Sequence, residues 1–161
     1  MAAIGKIIDS NPVVGGRTTN QILDTWKDGI FLKKEDITRN IKGLRSPQIG
    51  AVYAVLSHWE ISSDPATVVM PTGTGKTEVM LSLLIAATCS KTMIIVPTDA
   101  LRTQISNKVA SLGLLSNPQF GLIKETVLKP IVGVMSHRPC SAEEAIAFME
   151  QCNVVVTTIS I

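Results

Sequence analysis

A chain of 161 residues that is 45% hydrophobic has room for a folded core and lacks the composition of a disordered segment, while a net charge of +2 neither implies nor excludes a nucleic-acid partner. Three cysteines, Cys89, Cys140 and Cys152, are odd in number and show no C-x-x-C spacing, which argues against a disulfide framework or a zinc site and for a reducing, cytoplasmic setting. The N-terminus has no leader pattern and no apolar run reaches membrane-spanning length, so no membrane partner is expected.

The first 43 residues read as an accessory extension, and residues 44–161 as the main domain. Asn11-Pro12 and Gly15-Gly16 mark turns, residues 20–27 read as a short helix broken at Gly29, and Ile37, Ile41 and Leu44 recur at helical spacing. Trp26 and Phe31 are expected as packing anchors, because large aromatics chiefly supply buried area. Pro47 near a helix start, with Ile49, Val52, Tyr53, Leu56 and Trp59 on one side, predicts an amphipathic helix over 47–59. His58 beside that stripe has no carboxylate or cysteine at a suggestive spacing and reads as a packed or half-exposed side chain rather than a base. After a turn at 62–65, the run A-T-V-V-M at 66–70 is apolar and β-branched, as a strand would be.

The next residues, Pro71-Thr72-Gly73-Thr74-Gly75-Lys76-Thr77, have the chemistry of a phosphate cradle. Glycine at 73 and 75 lets the backbone turn tightly and approach a charged oxygen. Successive N–H groups and the N-terminus of the following helix then face one concavity that favours an anion. Lys76 would reach the β- and γ-phosphates, and the Thr77 hydroxyl would hold a Mg²⁺ bridging them. The glycine that usually stands six residues before the lysine is here Met70.

Downstream, residues 78–87 carry no Gly or Pro and read as a buried helix, and 91–96 as a second strand. Strand, helix and strand in that order require a right-handed crossover and a parallel sheet. Thr98 is placed to cap a helix over 99–112 that stops at Gly113. Residues 131–135 form a third expected strand, Ser141 to Glu144 a capping box opening a helix to about 151, and 153–159 a fourth strand.

Four separated pieces fall in a recognisable order: L-R-x-x-Q at 44–48, P-T-G-T-G-K-T at 71–77, V-P-T-x-x-L-x-x-Q at 96–104 and V-V-V-T-T at 154–158. Together they resemble the first RecA-like domain of superfamily-two helicases and translocases, in the branch of DEAD/DEAH-type and type III restriction-type motors. The resemblance implies an α/β P-loop NTPase fold, a RecA-like three-layer sandwich with a mostly parallel sheet, and ATP with Mg²⁺ as its ligands. It implies that Gln48 reads the adenine edge, for which a carboxamide can donate and accept at once, with Arg45 beside it. Thr72, Gly73, Thr74, Gly75, Lys76 and Thr77 would hold the phosphates, Lys76 and Thr77 carrying the catalytic contacts. Thr98 and Arg102, and Thr157 or Thr158, would grip a nucleic-acid backbone, DNA favoured over RNA. The residues alone leave Thr98 equally suited to a helix cap and the two later threonines to a pleated strand.

The chain also departs from that family. Such a motor needs a strand ending in an Asp-Glu pair to hold Mg²⁺ and activate water, and a second RecA-like domain supplying arginine fingers. No strand here ends in that pair. The expectation is therefore a truncated, N-terminal ATP-binding part of a helicase or translocase, poorly able to hydrolyse ATP alone, whose partners would be the second lobe and other subunits of a restriction, defence or repair complex. Two alternatives remain at this point: a small phosphotransferase, which would carry an arginine-rich lid where only Arg102 and Arg138 lie downstream, and a non-enzymatic nucleotide-binding scaffold.

Overall fold

Residues 4–11 and 17–161 are described by a computed structural model. The elements run β1 (Gly5–Ile8), α1 (Thr19–Trp26), α2 (Ser46–Ile61), α3 (Lys76–Ala86), β2 (Thr92–Val96), α4 (Asp99–Ser111), a 3-10 turn (Gly113–Ser116), β3 (Val132–Met135), α5 (Ala142–Glu150) and β4 (Val154–Thr158). Pro12 and the turn expected at Gly15-Gly16 lie outside the described residues. No helix among the described residues is long and apolar enough to cross a membrane.

The chain divides into two compact units. The first comprises the N-terminal residues up to Thr25 together with Cys89–Leu112 and Leu128–Ile161. Its core is a four-stranded sheet in the order β1-β3-β4-β2. The three apolar strands β3, β4 and β2 are parallel, with Val132 opposite Val154 and Val96 opposite Thr158, while β1 pairs with β3 antiparallel. Every residue of β4 is buried, the signature of an interior strand covered on both faces. The connection through α4 steps from β2 past β4 to β3, and the connection through α5 steps back. Right-handed crossovers in opposite directions put their helices on opposite faces, which gives three layers. Phe148 of α5 packs against Met135, Cys152 and Val155 on its face, and α4 packs over β2, β3 and β4. Burial pushes the Cys152 thiol up to about 11, against the opposing pull of Lys91. The Lys91 ammonium donates to the carbonyls of Met149, Glu150 and Cys152, closing the C-terminus of α5. Asn153, fully buried, accepts from the Ile131 N–H and donates to the Thr19 carbonyl.

The second unit, Trp26–Thr88 with Gly113–Val127, is built on α2 and α3. Val52, Met70 and Val79 form its centre, with Leu32, Leu56 and Leu83 against them. Several expectations fail here for identifiable reasons. Residues 66–70 form no strand, and Val69 is 90% exposed. A strand is held by neighbours along its edges, and none pairs with this segment among the described residues; only Met70 finds an apolar site. The stripe expected on α2 is displaced: the buried positions are Gln48, Val52 and Val55, while Tyr53 and Trp59 are exposed. Ile37, Ile41 and Leu44 belong to a hairpin-like segment rather than a helix, since Asp36 and Ile41 exchange backbone hydrogen bonds of 2.9 and 2.8 Å. Trp26 is buried as expected, whereas Phe31 is not.

Candidate nucleotide-binding site

The phosphate loop forms from local necessity. Gly73 and Gly75 hold φ of +81° and +85°, left-handed backbone that a side chain rarely adopts, and a Cβ at Gly75 would also run into the Gln48 carboxamide. Gly75 is the N-cap of α3, so the free N–H groups of an eleven-residue helix begin at Lys76 and Thr77. This geometry fits a phosphate, which needs main-chain donors at a helix N-terminus without side chains in the way.

The polar side chains of the loop converge on one acceptor. The Pro71 carbonyl accepts from the Thr74 hydroxyl at 2.7 Å and from the Lys76 ammonium at 3.2 Å. Pro71, Thr72, Gly73 and Lys76 are exposed, and Thr74, Gly75 and Thr77 are half-buried. A phosphate oxygen would compete for Lys76 as a charged acceptor, which makes stronger hydrogen bonds than a neutral carbonyl.

Helix α2 meets the loop through its first turn. The Gln48 side-chain oxygen accepts from the Arg45 N–H at 2.7 Å, and its amide donates to the Gly75 carbonyl at 3.3 Å. The Arg45 guanidinium donates to the Gly73 carbonyl at 3.2 Å. The structure thus brings together Arg45, Gln48 and the 71–77 loop, residues set apart in sequence. Gln48 is 97% buried, so both ends of its carboxamide are engaged with protein rather than directed to solvent. Glu78, in the first turn of α3, lies within 3.0 Å of where a Gly75 Cβ would stand, a proximity not foreseen from the sequence. The signal was available, because a side chain three residues past a helix N-cap points back over the cap.

A family model described as "Type III restriction enzyme, res subunit" matches residues 41–160. The chain belongs to that family. Domains of that family are P-loop, RecA-like ATP-binding domains of the helicase type, and the match takes in the 71–77 loop. No curated protein and no solved structure matches the chain.

The second set of expected site residues in this res-subunit family member lies at the carboxyl ends of β2 and β4. Register places Val96 opposite Thr158 and Ile95 opposite Thr157, so Thr98, two residues past β2, belongs to the same end of the sheet as the two later threonines. Each has internal work. The Thr98 hydroxyl accepts from the Leu101 N–H at 3.3 Å as the N-cap of α4. Arg102 reaches Asp99 at 3.0 Å with its side chain 12% exposed, and its buried Nε has no partner among the described residues. Thr157 and Thr158 are buried, and the Thr157 hydroxyl sits 3.5 Å from the Thr158 carbonyl. His58, half-buried, has its Nε2 2.8 Å from the Asp64 carbonyl, which ties down the turn after α2. No cluster of three metal-ligating side chains occurs among the described residues.

Proposed function

We propose that this chain is an ATP-binding lobe of an ATP-dependent nucleic-acid helicase or translocase, able to hold Mg-ATP and unable to turn it over at a useful rate alone. The observation that carries the reading is the loop itself: two left-handed glycines opening an eleven-residue helix at Lys76 and Thr77, with Arg45 and Gln48 hydrogen-bonded to the loop carbonyls. The main-chain N–H groups and Lys76 bind the β- and γ-phosphates, and Thr77 orients the ion. Gln48 recognises the adenine edge by releasing Gly75 and Arg45, which couples arrival of the base to the phosphate loop.

No Asp-Glu pair stands at the ends of β2, β3 and β4, where such a motor carries the carboxylate that positions water, and this supports weak hydrolysis. Arginine fingers from a second lobe alone supply roughly 10³- to 10⁵-fold in rate in such enzymes. A nucleic-acid backbone is the substrate along which the intact motor moves, with Thr98 and Arg102 as contacts at the sheet end. Titration with a fluorescent ATP analogue, run beside single- and double-stranded DNA and RNA, tests the reading. Binding of both nucleotide and nucleic acid is expected. Nucleotide binding with no nucleic-acid binding would instead point to a scaffold or a phosphotransferase.

A further inference from the structure

Positive charge is concentrated in one stretch of the second unit. Residues 31–45, F-L-K-K-E-D-I-T-R-N-I-K-G-L-R, hold five cations and two carboxylates, a net of +3 in a chain whose total is +2. Position sharpens the imbalance. Lys33, Lys34, Arg39, Lys42 and Arg45 are exposed, while Glu35 and Asp36 are half-buried. Asp36 is engaged locally: its Oδ1 accepts from the Thr38 hydroxyl at 2.6 Å and from the N–H groups of Thr38 and Arg39 at 3.0 and 3.2 Å. The contact of Arg39 with Asp36, at 3.6 Å, is solvent-exposed and weak.

The segment is a fixed frame rather than a loose basic tail. Glu35 donates to the Leu44 carbonyl and Leu44 to the Lys33 carbonyl, each at 2.9 Å, and Phe31 donates to Leu122 at 2.7 Å. A Cβ at Gly43 would collide with the backbone of Lys33 to Glu35, so glycine is what lets the two sides close. Beside this frame lies a cleft of about 600 Å³ lined by Lys33, Lys34, Glu35, Asp36, Ile37, Ile41 and Ser46, so that two carboxylates face it together with the two lysines. Phe31 is 48% exposed and Ile37 85% exposed, and the Lys42 ammonium stands 5.9 Å from the Phe120 ring centre.

We propose that the 31–45 segment is a docking surface for single-stranded nucleic acid, with Lys33, Lys34 and Lys42 on phosphates and Phe31 and the cleft receiving unstacked bases. Cations set beside an exposed ring and a cleft are what such a strand requires, whereas a regular duplex offers no free base to either. The inference rests on the nucleic-acid reading above and gives it a second location, apart from the strand-end residues that the fold already uses.

The test is fluorescence anisotropy of the full 161-residue chain with a labelled oligothymidylate between about 50 and 200 mM salt, where phosphate contacts are lost steeply. Lys33→Glu/Lys34→Glu/Lys42→Glu should weaken binding at least about tenfold and flatten the log–log salt slope by about 2, since each single-strand phosphate contact contributes roughly 0.7. Phe31→Ala should weaken binding several-fold with the slope unchanged. ATP-analogue affinity and melting temperature report that the variants remain folded, and the milder Lys→Gln triple, expected to flatten the slope equally, replaces the reversal if that fails to fold. Unchanged binding in the triple, with loss in Thr98→Ala/Arg102→Ala, overturns the hairpin and leaves the sheet-end contacts standing. No oligonucleotide binding by the wild type overturns both. Polyglutamate competing as well as oligothymidylate, with Phe31→Ala silent, assigns the surface to an acidic protein segment and also overturns the proposal.

Discussion

At the phosphate loop the polar side chains are tied by single replaceable bonds, whereas at the carboxyl ends of β2 and β4 they are consumed by the fold. Lys76 has one hydrogen bond, to Pro71, to give up to an incoming phosphate. Thr98 must give up a helix cap, and Thr157 must leave a buried site. The difference teaches that hydroxyl and guanidinium groups at the carboxyl ends of strands are ambiguous where glycine-lysine chemistry is not: a left-handed glycine before a helix has few uses, but a threonine has many.

Substitutions separate the two regions, beginning with the largest effect. Lys76→Ala removes a charge-assisted bond worth about 1.5–3 kcal/mol, so ATP-analogue affinity should fall roughly 10- to 150-fold, with no loss of melting temperature because the side chain is exposed. Gly75→Ala should lower both affinity and melting temperature, since left-handed backbone costs about 1–2 kcal/mol before the collision with Gln48 is counted. At the other region, Thr98→Ala should cost about 0.5–2 kcal/mol through the lost cap, with Thr98→Ser restoring it; thermal denaturation reads both. Thr157→Val, nearly isosteric at a buried position, should leave oligonucleotide affinity unchanged, and a loss there would return Thr157 to the ligand.

The smallest effect concerns Asp36. The Thr38 hydroxyl and the Arg39 N–H hold its carboxyl below the usual aspartate range, so the stabilisation it gives the hairpin is present above the ordinary value of about 3.9 and lost as pH falls through the lower folded value. Amide exchange at Thr38 and Arg39 should accelerate only in that acid window, and Asp36→Asn should abolish the pH dependence.

Much of the sheet was legible, and the reason is local. The β-branched runs at 92–96, 132–135 and 154–158 and the caps at Thr98 and Ser141 announce themselves within a few residues. β1 was not legible, because G-K-I-I is short and its partner β3 lies far along the chain. Residues 66–70 misled for the converse reason: their apolar, β-branched run expresses a propensity that tertiary pairing does not realise. Tyr53 and Trp59 misled because an apolar stripe does not say which side of a helix finds a partner. At the site, the loop was legible from glycine and lysine alone. The burial of Gln48 between Arg45 and Gly75 was not, since it depends on how α2 meets α3.

The central claim is a cradle that holds ATP without cleaving it, and single-turnover chemistry with radiolabelled Mg-ATP tests it most directly. The wild-type chain should retain nucleotide on a filter, release phosphate no faster than Lys76→Ala, and lose retention in that variant. Phosphate release well above Lys76→Ala would show a complete catalytic site and contradict the account.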